Sequence, residues 1–307
     1  MTMELAINVE AQNGLNWNNW KKIAAAAEDL GFAAIFRSDH LASFDGPPDL
    51  DALECWVSLT WLAGNTKRIQ FGPLVTPVTF RHPGMVARMA ANVDDLSGGR
   101  LILGMGTGWA EREHAIWGYP LGDLKTRFDR YEEGLELVYR LFHEDQPVTM
   151  DGKFFPVKDA VILPRPNRLH GPDLLVGGRG GKRTLSLAAR YADEWNAILM
   201  PPSEAVELSK RLDTAMVEAS RKPEEIRRSI MLNVTIGRTD AEVRQKMGGK
   251  SEADFRAIGA VGTPNAVADQ LMAYAEAGIY RIVAQVLDPD DMDYLEILGT
   301  RVIPQLS

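Results

Sequence analysis

The sequence has a single cysteine, Cys55, among 307 residues. No internal disulfide can form, so a reducing, cytoplasmic location is the default expectation. Positive charge is also short, with 34 lysines and arginines against 42 aspartates and glutamates and a formal net charge of -8. Nucleic acid, which needs a basic face to displace phosphate counterions, is not an expected partner. No apolar run approaches the length of a membrane span, and the first residues lack the basic-then-apolar pattern of an export signal. Neither a membrane partner nor export is expected. The five histidines, His40, His82, His114, His143 and His170, are scattered with no pair at ligand spacing, so no metal site is expected. A Gly-x-Ser-x-Gly elbow and a Walker lysine loop are both missing, which sets aside two large enzyme classes.

What is present is alternation. Apolar strands and amphipathic helices follow one another throughout, the pattern of a parallel sheet wrapped by crossover helices. Strands are expected at 5–10, 33–38, 69–75, 101–106, 174–178, 194–199, 229–237 and 280–286, with helices at 17–30, 51–62, 83–96, 127–142, 181–192 and 203–220 and near 291–300. Eight such units in this length fit a single α/β domain, a closed (β/α)8 TIM barrel, for which about 250 residues is typical. The surplus falls in a proline-rich insertion near 144–173, between units four and five, with a short hairpin expected around 153–157, and in a second insertion near 239–262.

In such a barrel the chemistry belongs at the carboxyl ends of the strands. Strand two ends in Ser38-Asp39-His40, an acid beside a group whose ordinary pKa lies near neutrality. The plain alternative is a turn cap with a surface histidine. Strand three ends in Gly72-Pro73-Leu74-Val75-Thr76-Pro77, whose prolines predict a break or bulge. Strand four carries Gly104, Gly106 and Gly108 at every second position. Glycines so spaced share one side of a strand, where bare backbone would let a flat ring lie close; the alternative is a strand crowded by its neighbours. The pattern is not a dinucleotide fingerprint, because Trp109 stands where the third glycine would be. Strand five runs into Gly177-Gly178-Arg179-Gly180-Gly181-Lys182-Arg183, directly before a helix. Free amides at a helix start, with cations beside them, suit a phosphate; a tight turn with solvated basic residues is the bland reading. Arg165 and Arg168 are placed to extend that positive area.

Taken together, the segments GFAAIFRSDHL, RIQFGPLVTPVTFRHP, LSGGRLILGMGTGW, RFDRYEEGLELV, LLVGGRGGKRTLSLAARYADEWN and GTPNAVADQLMAYAEAGIYRIV resemble the luciferase-like monooxygenase superfamily, in particular its deazaflavin (coenzyme F420)-dependent oxidoreductases. The resemblance implies a barrel with an insertion, a cofactor ring across the strand ends, a small-molecule substrate and often a homodimer. It implies a non-prolyl cis peptide between Leu74 and Val75 supporting the ring, with Thr76 beside it. It places Asp39 near the ring and His40 in proton transfer, Asp39 orienting His40 or polarising the ring edge. Gly106, Thr107 and Gly108 would pass beside the cofactor, and the turn from Gly177 through Arg179, Gly180 and Gly181 to Lys182 and Arg183 would hold its phosphate. In the sugar-phosphate dehydrogenases of this branch a carboxylate stands in place of Trp109 and a tryptophan in place of Phe44. Trp109, Phe44 and Phe80 are therefore expected to wall a more apolar substrate. An FMN-dependent monooxygenase and a non-catalytic flavin-binding barrel are the rival expectations.

Overall fold

Residues at every second position of the main strands turn to the same side, and this alternation builds the molecule in layers. The structure is a computed structural model that describes residues 3–47 and 49–306. Its strands are β1 (Glu4–Val9), β2 (Ala34–Arg37), β3 (Gln70–Pro73), β4 (Thr76–Pro77), β5 (Ile102–Gly106), β6 (Val148–Met150), β7 (Val157–Ala160), β8 (Asp173–Gly177), β9 (Glu194–Ile198), β10 (Arg227–Ile236), β11 (Gly259–Gly262) and β12 (Arg281–Val286). Parallel pairing runs β3-β2-β1-β12-β10-β9-β8-β5-β4. A bridge between Phe71 and Leu101 and the β4–β5 pairing close the ring. This is the expected (β/α)8 barrel, with its third strand split into β3 and β4.

Inside the ring, Ala6, Ala34, Phe36, Ile102, Leu175, Met231 and Val283 form one apolar layer. Their chain neighbours Leu5, Ile7, Ile35, Leu103 and Val176 face outward into the larger core shared with the helices. Burial of each such aliphatic side chain contributes about 1.5–3 kcal/mol. Beneath the inner layer, at the amino ends of the strands, a polar plug seals the barrel. Arg281 donates to Glu4 at 2.8 Å and to Gln70 at 2.5 Å, and it lies 3.4 Å from Glu194, which also accepts from Tyr280. The interior is therefore closed below by these groups and opens above, at the carboxyl ends.

The helices start and stop where local chemistry dictates. Asn16 caps Trp17–Asp29 in a reciprocal box with Asn19, and Pro83 begins Pro83–Ser97, which ends at Gly98 with φ 76°. Several boundaries differ from those expected. The second helix runs Cys55–Asn65 rather than from 51, because the Glu54 carboxylate accepts from the Val57 amide and sets its start. Between the helix Leu124–His143 and β8, the antiparallel pair β6–β7 flanks the 153–157 segment expected to hold the hairpin. The 239–262 stretch carries two short helices and a strand, β11, which adds to β10 outside the ring. A short helix, Glu111–Trp117, follows β5 and was not anticipated.

Candidate active site

The break in the third strand is where the site begins. The peptide between Leu74 and Val75 is cis, at the position the family resemblance implied. Val75 turns into the barrel and rests in a socket of glycines. A Cβ on Gly104 or Gly177 would stand 3.1 or 3.0 Å from Val75 Cγ1, and one on Gly106 would overlap Val75 Cγ2. A Cβ on Gly104 would also overlap the Pro73 carbonyl oxygen, and one on Gly72 the Ile102 carbonyl oxygen. The expectation that glycines 104 and 106 clear space for a cofactor ring is thus corrected. Their missing side chains make room for the bulged third strand and for Val75.

Above this packing lies a cavity of about 390 Å³, bordered by Leu74, Val75, Gly106, Thr107, Gly108 and Trp109 on one side and by Gly177, Gly178, Asn196 and Met231 on another. His40, Phe44 and Glu113 border it as well. Two aromatic rings stand edge to face with the His40 ring, Phe44 at 4.6 Å and Trp109 at 5.8 Å, and they tilt against each other at 4.7 Å. Phe44 and Trp109 therefore meet at His40 on the cavity border. Phe80 does not join them; it packs on His114 and Tyr119, 4.9 and 5.5 Å away, outside the cavity lining.

Asp39 and His40 are neighbours in sequence but not hydrogen-bond partners. The buried Asp39 carboxylate accepts from Arg81 at 2.6 and 3.2 Å and from Thr76 at 2.5 Å, so it does not orient His40. Burial pulls the Arg81 pKa down, but Asp39 and Glu54 outweigh it and hold the guanidinium above its ordinary value. Thr76 spends its hydroxyl on this pair and lies outside the cavity lining, a correction to its expected place beside the cofactor. The partner of His40 is Glu113, 73 residues away in sequence and 2% exposed, whose Oε1 lies 2.8 Å from His40 Nδ1. Its Oε2 accepts from the Leu41 amide at 2.8 Å. Sequence reasoning missed Glu113, since an acid in the charged run Glu111-Arg112-Glu113-His114 carries no local sign of burial. It also missed Glu10, a buried carboxylate at the end of β1 that borders the cavity and accepts from Asn8, Gln12 and Gln285 at 2.8–3.0 Å. Cys55 lies close by, but burial pushes its thiol pKa up and it stays neutral.

The turn after β8 is built differently from the β5 glycines. Gly177 and Gly178 border the cavity, and Gly181 caps the helix Lys182–Tyr191 with no side-chain hydrogen bond to its first amides. A Cβ on Gly181 would meet nothing within 4 Å. Arg179 and Lys182 are exposed, and neither makes an ion pair among the described residues. Gly180 packs under Leu208. Arg183 turns away to Asp129 and Glu132, at 2.8 and 3.1 Å, which corrects its expected phosphate role. Arg165 donates to the Glu144 and Asp145 carbonyls and Arg168 to Asp94 and the Leu101 carbonyl, the latter at the amino end of β5. Neither extends the positive area.

The comparisons with known proteins agree with this architecture. A family model described as luciferase-like monooxygenase matches residues 3–256. A protein from Intrasporangium calvum named F420-dependent glucose-6-phosphate dehydrogenase is 27% identical, across 91% of this chain and 92% of its own length. A Mycobacterium kansasii protein named phthiodiolone/phenolphthiodiolone dimycocerosates ketoreductase is 32% identical across 78% of this chain and 66% of its own length. Among solved structures, an F420-dependent secondary alcohol dehydrogenase in complex with an F420-acetone adduct superposes with a TM-score of 0.85 at 18% identity, covering 100% of both chains; at that identity the likeness shows the fold. The chain belongs to the luciferase-like monooxygenase family.

Proposed function

We propose that this chain is an F420-dependent oxidoreductase that moves a hydride between the deazaflavin and a small, uncharged, largely apolar alcohol or carbonyl compound. The observation that carries the reading is the placement of the His40–Glu113 pair and the bare Gly177–Gly178 turn on walls of one cavity. The name of the Intrasporangium calvum relative supports the cofactor class, and that of the Mycobacterium kansasii relative supports a carbonyl compound as substrate.

The residues present fit such a group. The cavity volume, about 390 Å³, falls in the range of small-molecule sites, and a planar ring system has the Leu74–Val75 bulge to rest against. The uncapped amides at the start of Lys182–Tyr191 suit a phosphate, with Arg179 and Lys182 as unpaired cations beside them. When bound, the deazaflavin supplies the hydride acceptor or donor. The chain supplies the rest. Gly106, Thr107 and Gly108 form the backbone wall beside the ring. Asp39, pinned by Arg81 and Thr76, holds a fixed ion pair at the cavity edge. His40 takes up or gives the substrate's hydroxyl proton.

The substrate class follows from what borders the cavity. Its described lining contains Glu10, Asp39 and Glu113 but neither lysine nor arginine. A phosphate ester would enter a field of like charge with no guanidinium or ammonium to meet it. Trp109 and Phe44 instead offer apolar surface over His40. The test is a hydride-transfer assay by deazaflavin absorbance, with secondary alcohols and ketones set against glucose 6-phosphate, and with FMN as the competing cofactor. Turnover of the apolar compounds with F420 supports the reading; turnover of the sugar phosphate, or of FMN with oxygen, overturns it.

Two coarser features complete it. No helix among the described residues is long and apolar enough to cross a membrane, and a cytoplasmic place is proposed on the lone, buried, reduced Cys55. A homodimer is proposed through the groove between Cys55–Asn65 and Pro83–Ser97, where Val57, Met85 and Leu96 are exposed.

A further inference from the structure

Glu113 reaches His40 from a helix that the sequence does not announce, and it does so with both carboxylate oxygens engaged. Oε2 accepts from the Leu41 amide, whose nitrogen can only donate, and Oε1 meets His40 Nδ1 at 2.8 Å. An ionised carboxylate has no proton to give, so the proton between it and the imidazole sits on Nδ1. We propose that Glu113 is a positioning residue that fixes His40 in its Nδ1–H tautomer, leaving Nε2 as the atom that exchanges a proton with the substrate oxygen. The proposal rests on the oxidoreductase reading above and specifies how its proton is handled.

The surroundings support it. Glu113 is buried, while the His40 side chain keeps 16% exposure with the edges of Phe44 and Trp109 against its ring. Arg112, the residue before Glu113, donates to the carbonyls of Phe44 and Gly46 at 3.0 Å. The short helix Glu111–Trp117 thus grips the loop carrying His40 at its root and at its tip. The other charged groups around His40 are Asp39, paired with Arg81, Glu10 at the end of β1, and Arg112 on the loop carbonyls. Among the described residues, Glu113 alone of these charged groups hydrogen-bonds the imidazole. As an alcohol is oxidised, its O–H bond breaks and the proton passes to Nε2, while the C–H electron pair leaves with its hydrogen to the deazaflavin-class acceptor. The imidazolium so formed faces the Glu113 carboxylate. Ketone reduction runs the same proton back.

The test has one arm that needs no cofactor. Nitrogen-15 NMR of the histidine-labelled protein, with His40 assigned by the loss of its signals in His40→Asn, reports which ring nitrogen carries the proton. The wild type is expected to show Nδ1–H at neutral pH. In Glu113→Gln the amide can accept from Leu41 and donate to Nδ1, which moves the imidazole proton to Nε2. Turnover is then expected to fall about 100-fold or more, the worth of a well-placed proton acceptor, with KM changing far less. The acid limb of the kcat/KM profile should move to lower pH, because the imidazolium loses its counter-charge. An Nε2–H tautomer in the wild type overturns the proposal, as does a folded Glu113→Gln protein with unchanged rate and pH profile. A wild type that shows Nδ1–H but never turns over with F420 overturns the proposed function and leaves the tautomer assignment standing.

Discussion

Gly104 and Gly106 on β5 and Gly177 to Gly181 after β8 look alike as text, yet the first pair is filled space while the second stretch opens to the surface at Arg179 and Gly181. On β5 the absent side chains are replaced by Val75 and by the Pro73 backbone of the neighbouring strand. After β8, Gly178 borders the cavity with its amide donated to the Asn196 carbonyl, Gly181 leaves open space at the start of a helix, and Gly177 is shared between the two regions as the third side of the Val75 socket. A glycine thus signals close approach, and only the fold tells whether protein or ligand does the approaching.

The difference can be broken by adding one methyl at a time. The largest effect is expected for Gly104→Ala, whose Cβ would overlap the carbonyl oxygen of Pro73, backbone that cannot rotate away. A loss of about 3 kcal/mol or more is expected from urea unfolding, at the upper end of overpacking costs. Gly106→Ala should cost less, about 1–3 kcal/mol, because its clash is with one side chain. That clash is removable: without Val75 Cγ2, the nearest remaining atom is Val75 Cβ at 3.6 Å. Val75→Ala should therefore rescue Gly106→Ala and fail to rescue Gly104→Ala; a double-mutant cycle showing equal rescue of both would contradict the socket. On the open side, Gly181→Ala adds its methyl to empty space and should change stability within about 0.5 kcal/mol. Deazaflavin affinity, followed by fluorescence quenching, should nonetheless weaken, since that space is where the phosphate is proposed to lie.

The smallest effect is a control away from both glycine regions. His143 stacks between Tyr139 and His170, and burial lowers its pKa below the ordinary 6.5. The unfolded chain then binds the proton more readily than the folded one. Stability from this group is complete above about pH 6.5 and is lost as the pH falls toward the lower folded value. Thermal unfolding from pH 8 to 5 should show this slope, and it should shrink in His143→Gln with cofactor affinity unaltered.

The barrel was legible because period-two apolar runs, helix-spaced apolar faces and punctuating glycines and prolines are local signals. His40 and Trp109 were legible as unusual residues near strand ends, and Phe44 through the family resemblance. What escaped was long-range. The partner of His40 lies 73 residues downstream in a short charged helix, and nothing local distinguishes a buried Glu113 from its exposed neighbour Glu111. Asp39 beside His40 looked like a pair, yet strand geometry sends its carboxylate to Arg81 instead. Arg183 and Arg168 looked like anion binders by proximity in the chain and are spent on Asp129, Glu132 and Asp94. Adjacency in sequence predicts shared location, and hydrogen-bond partners depend on direction.

The most direct measurement is a crystal structure of the protein grown with oxidised F420. The account predicts the deazaflavin ring between His40 and Gly178, resting on the Leu74–Val75 bulge with Val75 still in its glycine socket, and the phosphate at the Gly177–Lys182 turn. A cofactor bound elsewhere, or a ring lying in the space now held by Val75, would contradict it.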